Sequence, residues 1–368
     1  MTNNKNFPKS HEYLLKINNY VPGKSKINNS PEKIIKLSSN ENALGCSKKA
    51  LESYVLHQHE IHRYADGSCE KLREKLALKH NINANQIVCG AGSDEIISLI
   101  TCAYAGIDDE IIYSEYGFLM YPISAQRVGA KAIKAPEKNL KTHVENILNA
   151  ITSKTKIIFI ANPNNPTGSY LKHQEIADLV TNIPSNVLLV LDHAYEEFVN
   201  VNDYYNGYEI VNKYPNVILT KTFSKIYGLA SLRIGWSYSS LEIANILNKV
   251  RGPFNVSGPA QISAIASLDD EKFMQDSIEH NNKWLKIYAN ELTKLNYLKP
   301  YPSMGNFILI DFLEIEKCQK INQKLLENGI IVRDVTSYGL PTCLRISIGN
   351  DLENNKVLNF LLDLKNGL

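Results

Sequence analysis

The sequence predicts an α/β fold, in which a large domain with a mostly parallel sheet between helices is followed by a smaller α+β domain. Three observations predict it. Between about residues 84 and 250, short apolar runs alternate with amphipathic stretches of helical period, the pattern of strand–helix–strand crossover units. After Pro259 that alternation gives way to two helical patterns, then to strands with a helix among them. The length of 368 residues accommodates two domains at roughly 150 residues each.

Taken in order, residues 1–45 have weak periodicity and several Asn, Pro and Gly residues. They are expected to form an arm and linker that is part of the small domain. The runs 87–89, 110–113, 156–161, 187–191 and 217–220 are apolar and of strand length, whereas 93–104, 144–151 and 173–180 space their apolar residues as one helix face requires. These make a large domain over 46–258. In the small domain, 259–368, helices are expected over 261–268 and 273–295 and strands at 306–311, 329–333 and 344–348, with a helix over 318–327 between the first two strands. The chain has no internal repeat and no low-complexity segment.

Composition excludes several classes of function. Lys and Arg number 40 against 38 Asp and Glu, with no long block of one sign, which argues against a nucleic-acid binder built on phosphate contacts. The 6 cysteines include no C-x-x-C pair, so neither a metal cluster nor a disulfide framework is expected, and a reducing compartment is. Residues 1–10 are polar, and the longest apolar runs fall far below the ~20 residues of a membrane helix. A cytoplasmic protein is the expectation.

In a doubly wound sheet, ligands bind beyond the C-terminal ends of the strands. The run 156–161 is followed by Asn162-Pro163-Asn164-Asn165-Pro166-Thr167-Gly168, and 187–191 by Asp192-His193-Ala194-Tyr195. Lys221-Thr222-Phe223-Ser224-Lys225 follows 217–220, and Gly90-Ala91-Gly92-Ser93-Asp94-Glu95 follows 87–89. Singly, each has a bland reading: a polar turn, a turn residue closing a strand, a solvated lysine, a helix cap. In order, at successive strand ends, they converge on one small, anionic, heterocyclic ligand. A dinucleotide fingerprint is rejected, because Glu95 stands where the third glycine belongs.

Together, Asn165-Pro166-Thr167-Gly168, Asp192-x-Ala194-Tyr195, Ser224-Lys225, and Arg233 eight residues after the lysine resemble the fold-type I, class II aminotransferases, which depend on pyridoxal phosphate. Further segments resemble a narrower group, the histidinol-phosphate aminotransferases. These are Asn19-Tyr20-Val21-Pro22-Gly23, Leu37-Ser38-Ser39-Asn40-Glu41-Asn42, His62-Arg63-Tyr64-Ala65-Asp66-Gly67, Thr222 to Ala230, Ile331-Val332-Arg333-Asp334 and Leu344-Arg345-Ile346-Ser347. The likeness runs from residue 20 to 349. The chain departs from the family at Ala43 and Cys46, where Pro is usual, at Tyr116-Gly117, at Ser231 and at His193, and none of these removes a catalytic group.

The resemblance implies the fold-type I architecture, pyridoxal 5′-phosphate as cofactor and a homodimer with shared active sites. It implies amino-group transfer between L-histidinol phosphate and 2-oxoglutarate in histidine biosynthesis, by a ping-pong mechanism. An aromatic amino acid aminotransferase is the alternative, and a threonine-phosphate decarboxylase-like enzyme a more distant one. By the same resemblance Lys225 carries the cofactor covalently and moves the proton, Asp192 pairs with the pyridine nitrogen, and Tyr195 and Asn165 hydrogen-bond the ring's 3′-oxygen. Gly92, Ser93, Asp94, Thr222, Ser224 and Arg233 form the phosphate cup, whose backbone amides at a helix start suit an anion. Phe118 stacks on the pyridine, and Tyr64 reaches the cup from the partner subunit. Tyr20, Asn165, Arg333 and Arg345 hold the substrate, with Tyr20 on an arm assigned across the interface; arginine suits bidentate capture of carboxylate or phosphate. No metal is expected.

Overall fold

The computed structural model of the protein describes residues 8–17, 20, 23, 24, 26 and 34–364. Asn19, Val21 and Pro22 of the motif around Tyr20, much of the expected arm and residues 365–368 lie outside the described residues. In chain order the strands are β1 (Ile35–Leu37), β2 (Ile87–Gly90), β3 (Glu110–Ser114), β4 (Lys131–Ala135), β5 (Thr155–Ala161) and β6 (Leu188–Asp192). They continue with β7 (Val217–Thr222), β8 (Gly235–Tyr238), β9 (Lys299–Tyr301), β10 (Phe307–Asp311), β11 (Ile330–Asp334) and β12 (Cys343–Ser347).

Seven strands make the large sheet, in the order β2-β8-β7-β6-β5-β3-β4. Every neighbouring pair is parallel except those of β8, which runs against both β2 and β7. Alternation divides the core into two layers. Ile158, Ile160, Leu189, Leu191, Val217 and Leu219 pack on one face, and Ile157, Phe159, Leu188, Val190 and Ile218 on the other. Strands covered on both faces need apolar residues at every position, which is why β5, β6 and β7 read so plainly in the sequence.

The small sheet has the order β1-β11-β12-β10-β9 and packs on Trp284, Tyr288 and Leu292 of the long helix Glu271–Leu292. Its edge strand β1 comes from the other end of the chain and lies parallel to β11, with Ile35 opposite Ile330. The helix expected from residue 261 begins earlier, at Gly258, because Ser257 caps it by accepting from the Ala260 amide and Pro259 suits its first turn. Two strands of the large sheet escape the sequence reading. β4 is an edge strand whose Lys131 and Lys134 are exposed, and β8 is only four residues long. β8 nonetheless matters to the site: a Cβ on Gly235 would lie 2.6 Å from the Ser93 amide nitrogen, so only glycine lets this strand lie flush against the helix start. Among the described residues, no helix is long and apolar enough to cross a membrane.

The same alternation buries an ion cluster. Asp192 and Thr222 point to one face of the sheet, so His193 and Lys221 point to the other. Lys221 is 2% exposed, with Nζ 2.9 Å from Glu197 Oε1 and 3.1 Å from Glu196 Oε2, while His193 Nδ1 lies 2.9 Å from the same Glu196 oxygen. Burial alone would raise the Glu196 carboxyl, but Lys221 and His193 draw it down to about 2. His193, one of the departures from the family, thus serves this cluster. Removing one partner of a buried pair leaves uncompensated charge, at a cost of about 3–5 kcal/mol. Lys221→Met is expected to destabilise the protein by that amount in urea unfolding of the holoprotein. A loss below about 1 kcal/mol would show that the two carboxylates find other partners or protons.

Candidate active site

The C-terminal ends of β5, β6 and β7 and the start of helix Ser93–Tyr104 surround a cavity of about 170 Å³. Ten of the sequence-derived site residues line it: Ser93, Asp94, Phe118, Asn165, Asp192, Tyr195, Thr222, Ser224, Lys225 and Arg233. Most sit at or beyond the C-terminal end of a parallel strand, and Arg233 lies just before the antiparallel β8.

Asp192 ends β6 with its carboxyl buried, which raises its pKa, while a hydrogen bond from the Tyr121 hydroxyl to Oδ2 at 2.8 Å lowers it. Its Oδ1 is buried and has no hydrogen-bond partner among the described residues. Tyr121 is fully buried and stacks on Phe159 at 4.7 Å, and Phe118 meets it edge-on at 5.8 Å. The bond from Tyr121 to Asp192 is not legible in the sequence.

Lys225 directs Nζ to the Ser39 carbonyl at 3.4 Å and over the Tyr195 ring at 5.7 Å. Burial, reinforced by the charge of Arg345, lowers its amine to about 8. The Tyr195 hydroxyl accepts a hydrogen bond from Asn40 Nδ2 at 2.9 Å.

At the other end of the cavity, Gly92 caps the helix with φ of 85°. Glycine is needed there for the conformation, and a Cβ would also displace Arg233 Nη2. Arg233 is anchored by Nη1 on the Ala230 carbonyl at 3.0 Å and on Ser224 Oγ at 3.4 Å, with Nη2 3.6 Å from Asp94. Thr222 Oγ1 accepts from the Ser224 amide at 3.1 Å. A helix N-terminus, two hydroxyls and a guanidinium form a cup suited to an anion.

Arg345 donates through Nη1 to Asn165 Oδ1 and through Nη2 to the Ser38 carbonyl at 2.9 Å, and its guanidinium lies 5.4 Å from the Phe307 ring. It stands directly opposite Arg333 on the neighbouring strand, so the two buried side chains share one face of the small sheet. The Tyr20 ring lies 6.0 Å from the Arg333 guanidinium of its own chain, whereas the resemblance placed Tyr20 on an arm across a subunit interface. Tyr64 is not brought to the cavity. It is 85% exposed and stacks on Phe254 at 4.6 Å.

A family model for aminotransferase class I and II matches residues 32–361. The chain belongs to that family. It is 45% identical over 347 residues to the histidinol-phosphate aminotransferase of Paramagnetospirillum magneticum, covering 94% of this chain and 95% of that protein. It is 42% identical to the one of Maricaulis maris over 350 residues, 95% and 96% of the two chains. The structure of histidinol-phosphate aminotransferase from Sinorhizobium meliloti in complex with pyridoxal-5′-phosphate superposes with a TM-score of 0.91, covering 98% of each chain at 25% identity. These likenesses bear out the fold-type I architecture, the mostly parallel sheet and the smaller second sheet.

The aminotransferase's own residues fit that cofactor. A protonated ring nitrogen matches the open Asp192 Oδ1, a phosphate matches the cup at Arg233, and an aldehyde matches the amine of Lys225. Because only a neutral amine is nucleophilic, the depressed lysine has a direct consequence. Labelling of Lys225 in the apoprotein by an amine-reactive reagent, mapped by mass spectrometry, is expected to accelerate as pH rises, with a midpoint near 8. A midpoint near the ordinary lysine value of about 10.4 would contradict the assignment.

Proposed function

We propose that this aminotransferase moves the amino group between L-histidinol phosphate and 2-oxoglutarate in histidine biosynthesis, giving imidazole acetol phosphate and L-glutamate, with pyridoxal 5′-phosphate as cofactor. The observation that carries the reading is the pair Arg333 and Arg345, buried opposite one another on adjacent strands. Two guanidinium groups on one face suit bidentate capture of an anion. A phosphate monoester and a dicarboxylate are both such anions, so one pocket serves the two half-reactions in turn. The 45% identity to a histidinol-phosphate aminotransferase over 94% of the chain supports the phosphorylated donor.

When bound, the cofactor supplies an electron sink for the substrate's α-carbon. Lys225, drawn toward its neutral form, takes the proton from that carbon and returns it, a contribution of roughly 10²–10⁴ in rate. Asp192 presents Oδ1 to the ring nitrogen while Tyr121 holds Oδ2. Asn165, its oxygen engaged by Arg345, turns its amide nitrogen to the ring's 3′-oxygen beside Tyr195. Phe118 covers one face of the ring. The amides at Gly92, Ser93 and Asp94, with Thr222, Ser224 and Arg233, bind the phosphate. Tyr20 and Arg333 complete the grip on the substrate.

The working unit in this proposal is a homodimer in the cytoplasm, each chain comprising an arm and linker (1–45), a large domain (46–258) and a small domain (259–368). Exposed apolar residues support it: Leu51, Val55, Leu56, Ile61, Tyr64 and Phe254 are all exposed. Tyr64 then reaches the phosphate cup of a second copy. Mixing inactive Lys225→Ala chains with Tyr64→Phe chains is expected to restore activity above that of either variant alone. No gain after verified subunit exchange would rule out a shared site.

The substrate is tested by separating the two arginines. Loss of a charge-assisted hydrogen bond costs about 1.5–3 kcal/mol, or roughly ten- to more than a hundredfold in binding. Arg333→Ala is expected to weaken histidinol phosphate by that factor while sparing a phosphate-free aromatic donor. Arg345→Ala is expected to impair both histidinol phosphate and 2-oxoglutarate. Single-turnover measurement of each half-reaction decides the matter: equal losses for phenylalanine and histidinol phosphate in Arg333→Ala would favour an aromatic aminotransferase instead.

A further inference from the structure

The segment that follows β1 has no part in the chemistry above, yet it touches both sheets. The Ser38 carbonyl accepts from Arg345 and the Ser39 carbonyl from Lys225. Asn40 comes next, 1% exposed and engaged through its backbone and its side chain. Its amide donates to Ser347 Oγ at 2.8 Å, and that hydroxyl donates back to Asn40 Oδ1 at 2.8 Å. Its Nδ2 donates to the Tyr195 hydroxyl oxygen at 2.9 Å, and its carbonyl accepts from Asn306 at 3.1 Å. Its φ of 52° is one that Asn tolerates better than most side chains.

These bonds have a direction. A serine hydroxyl has one proton, and Ser347 gives it to Asn40 Oδ1, which fixes the amide with its NH₂ toward Tyr195. A phenol also has one proton. Because its oxygen already accepts from Asn40, that proton is left for a different acceptor in the cavity. We infer that Asn40 is a positioning residue for Tyr195, orienting the phenol so that its proton is given to the cofactor's 3′-oxygen. The inference rests on the proposed place of Tyr195 beside that oxygen. Ser347 lies two residues beyond Arg345 on β12, so the same link ties the orientation of the phenol to the strand that grips the substrate.

The test reads the colour of the holoenzyme as a function of pH. A hydrogen bond donated to the 3′-oxygen favours its anionic form, so loss of that bond moves the midpoint of the visible band to higher pH, by about one unit. Tyr195→Phe and Asn40→Gly, the latter compatible with positive φ, are expected to shift it in the same direction. In the double variant Asn40→Gly is expected to add nothing, since the proton it orients is gone. An unshifted band in Asn40→Gly, or the same added shift with and without the tyrosine hydroxyl, would overturn the inference while leaving the place of Tyr195 intact. An unshifted band in Tyr195→Phe would overturn both. If Asn40→Gly does not hold the cofactor, Ser347→Ala is read in the same way: an upward shift that vanishes in the Tyr195→Phe background supports the inference, and any other result overturns it.

Discussion

Asp192 ends its strand inside the protein, where burial works against the ionised form. A carboxyl in such a place either keeps a proton or is met by something cationic. Tyr121 satisfies one oxygen, and the other has no hydrogen-bond partner among the described residues, which suits a protonated ring nitrogen. The rest of the cavity follows from where the neighbouring elements end. Parallel strands deliver their C-terminal ends to one edge of the sheet, and the helix after β2 starts at the same edge.

Strand alternation then keeps two kinds of charge apart. Asp192 and Thr222 face the ligand side, whereas His193 and Lys221, one residue away, face an enclosed network with Glu196 and Glu197. Lys221 and Lys225 are only four residues apart and meet opposite fates. The first is locked by two carboxylates, and the second has no carboxylate at hydrogen-bonding distance among the described residues and is drawn toward neutrality.

Much of this was legible in the sequence because strands buried on both faces are unbroken apolar runs and their chemistry comes directly after them. The ends of β2, β5, β6 and β7 were found that way, with eight residues of the cavity, and the family resemblance added Phe118 and Arg233. β4 and β8 were not, since an edge strand with exposed lysines and a four-residue strand carry no such signal. Nor were the contacts between Tyr121 and Asp192, or between Asn40 and Tyr195, because each joins residues far apart in the chain and nothing local encodes the meeting. Nor was the contact of the Tyr20 ring with Arg333 of its own chain, since an arm of weak periodicity gives no direction.

The small sheet draws β1 from the beginning of the chain and β11 from near its end. During synthesis, Ile35 leaves the ribosome long before Ile330 exists, an interval of about 15–60 s at roughly 5–20 residues per second. Through that time the first apolar strand has no ladder to join, although the large sheet can already assemble around β2 to β8. Ser38, Ser39 and Asn40 are held back with it, because Arg345 and Ser347 also come late. The face of the small sheet that carries Arg333 and Arg345, with its bonds to Ser38 and Asn40, is therefore among the last parts of the nascent protein to form.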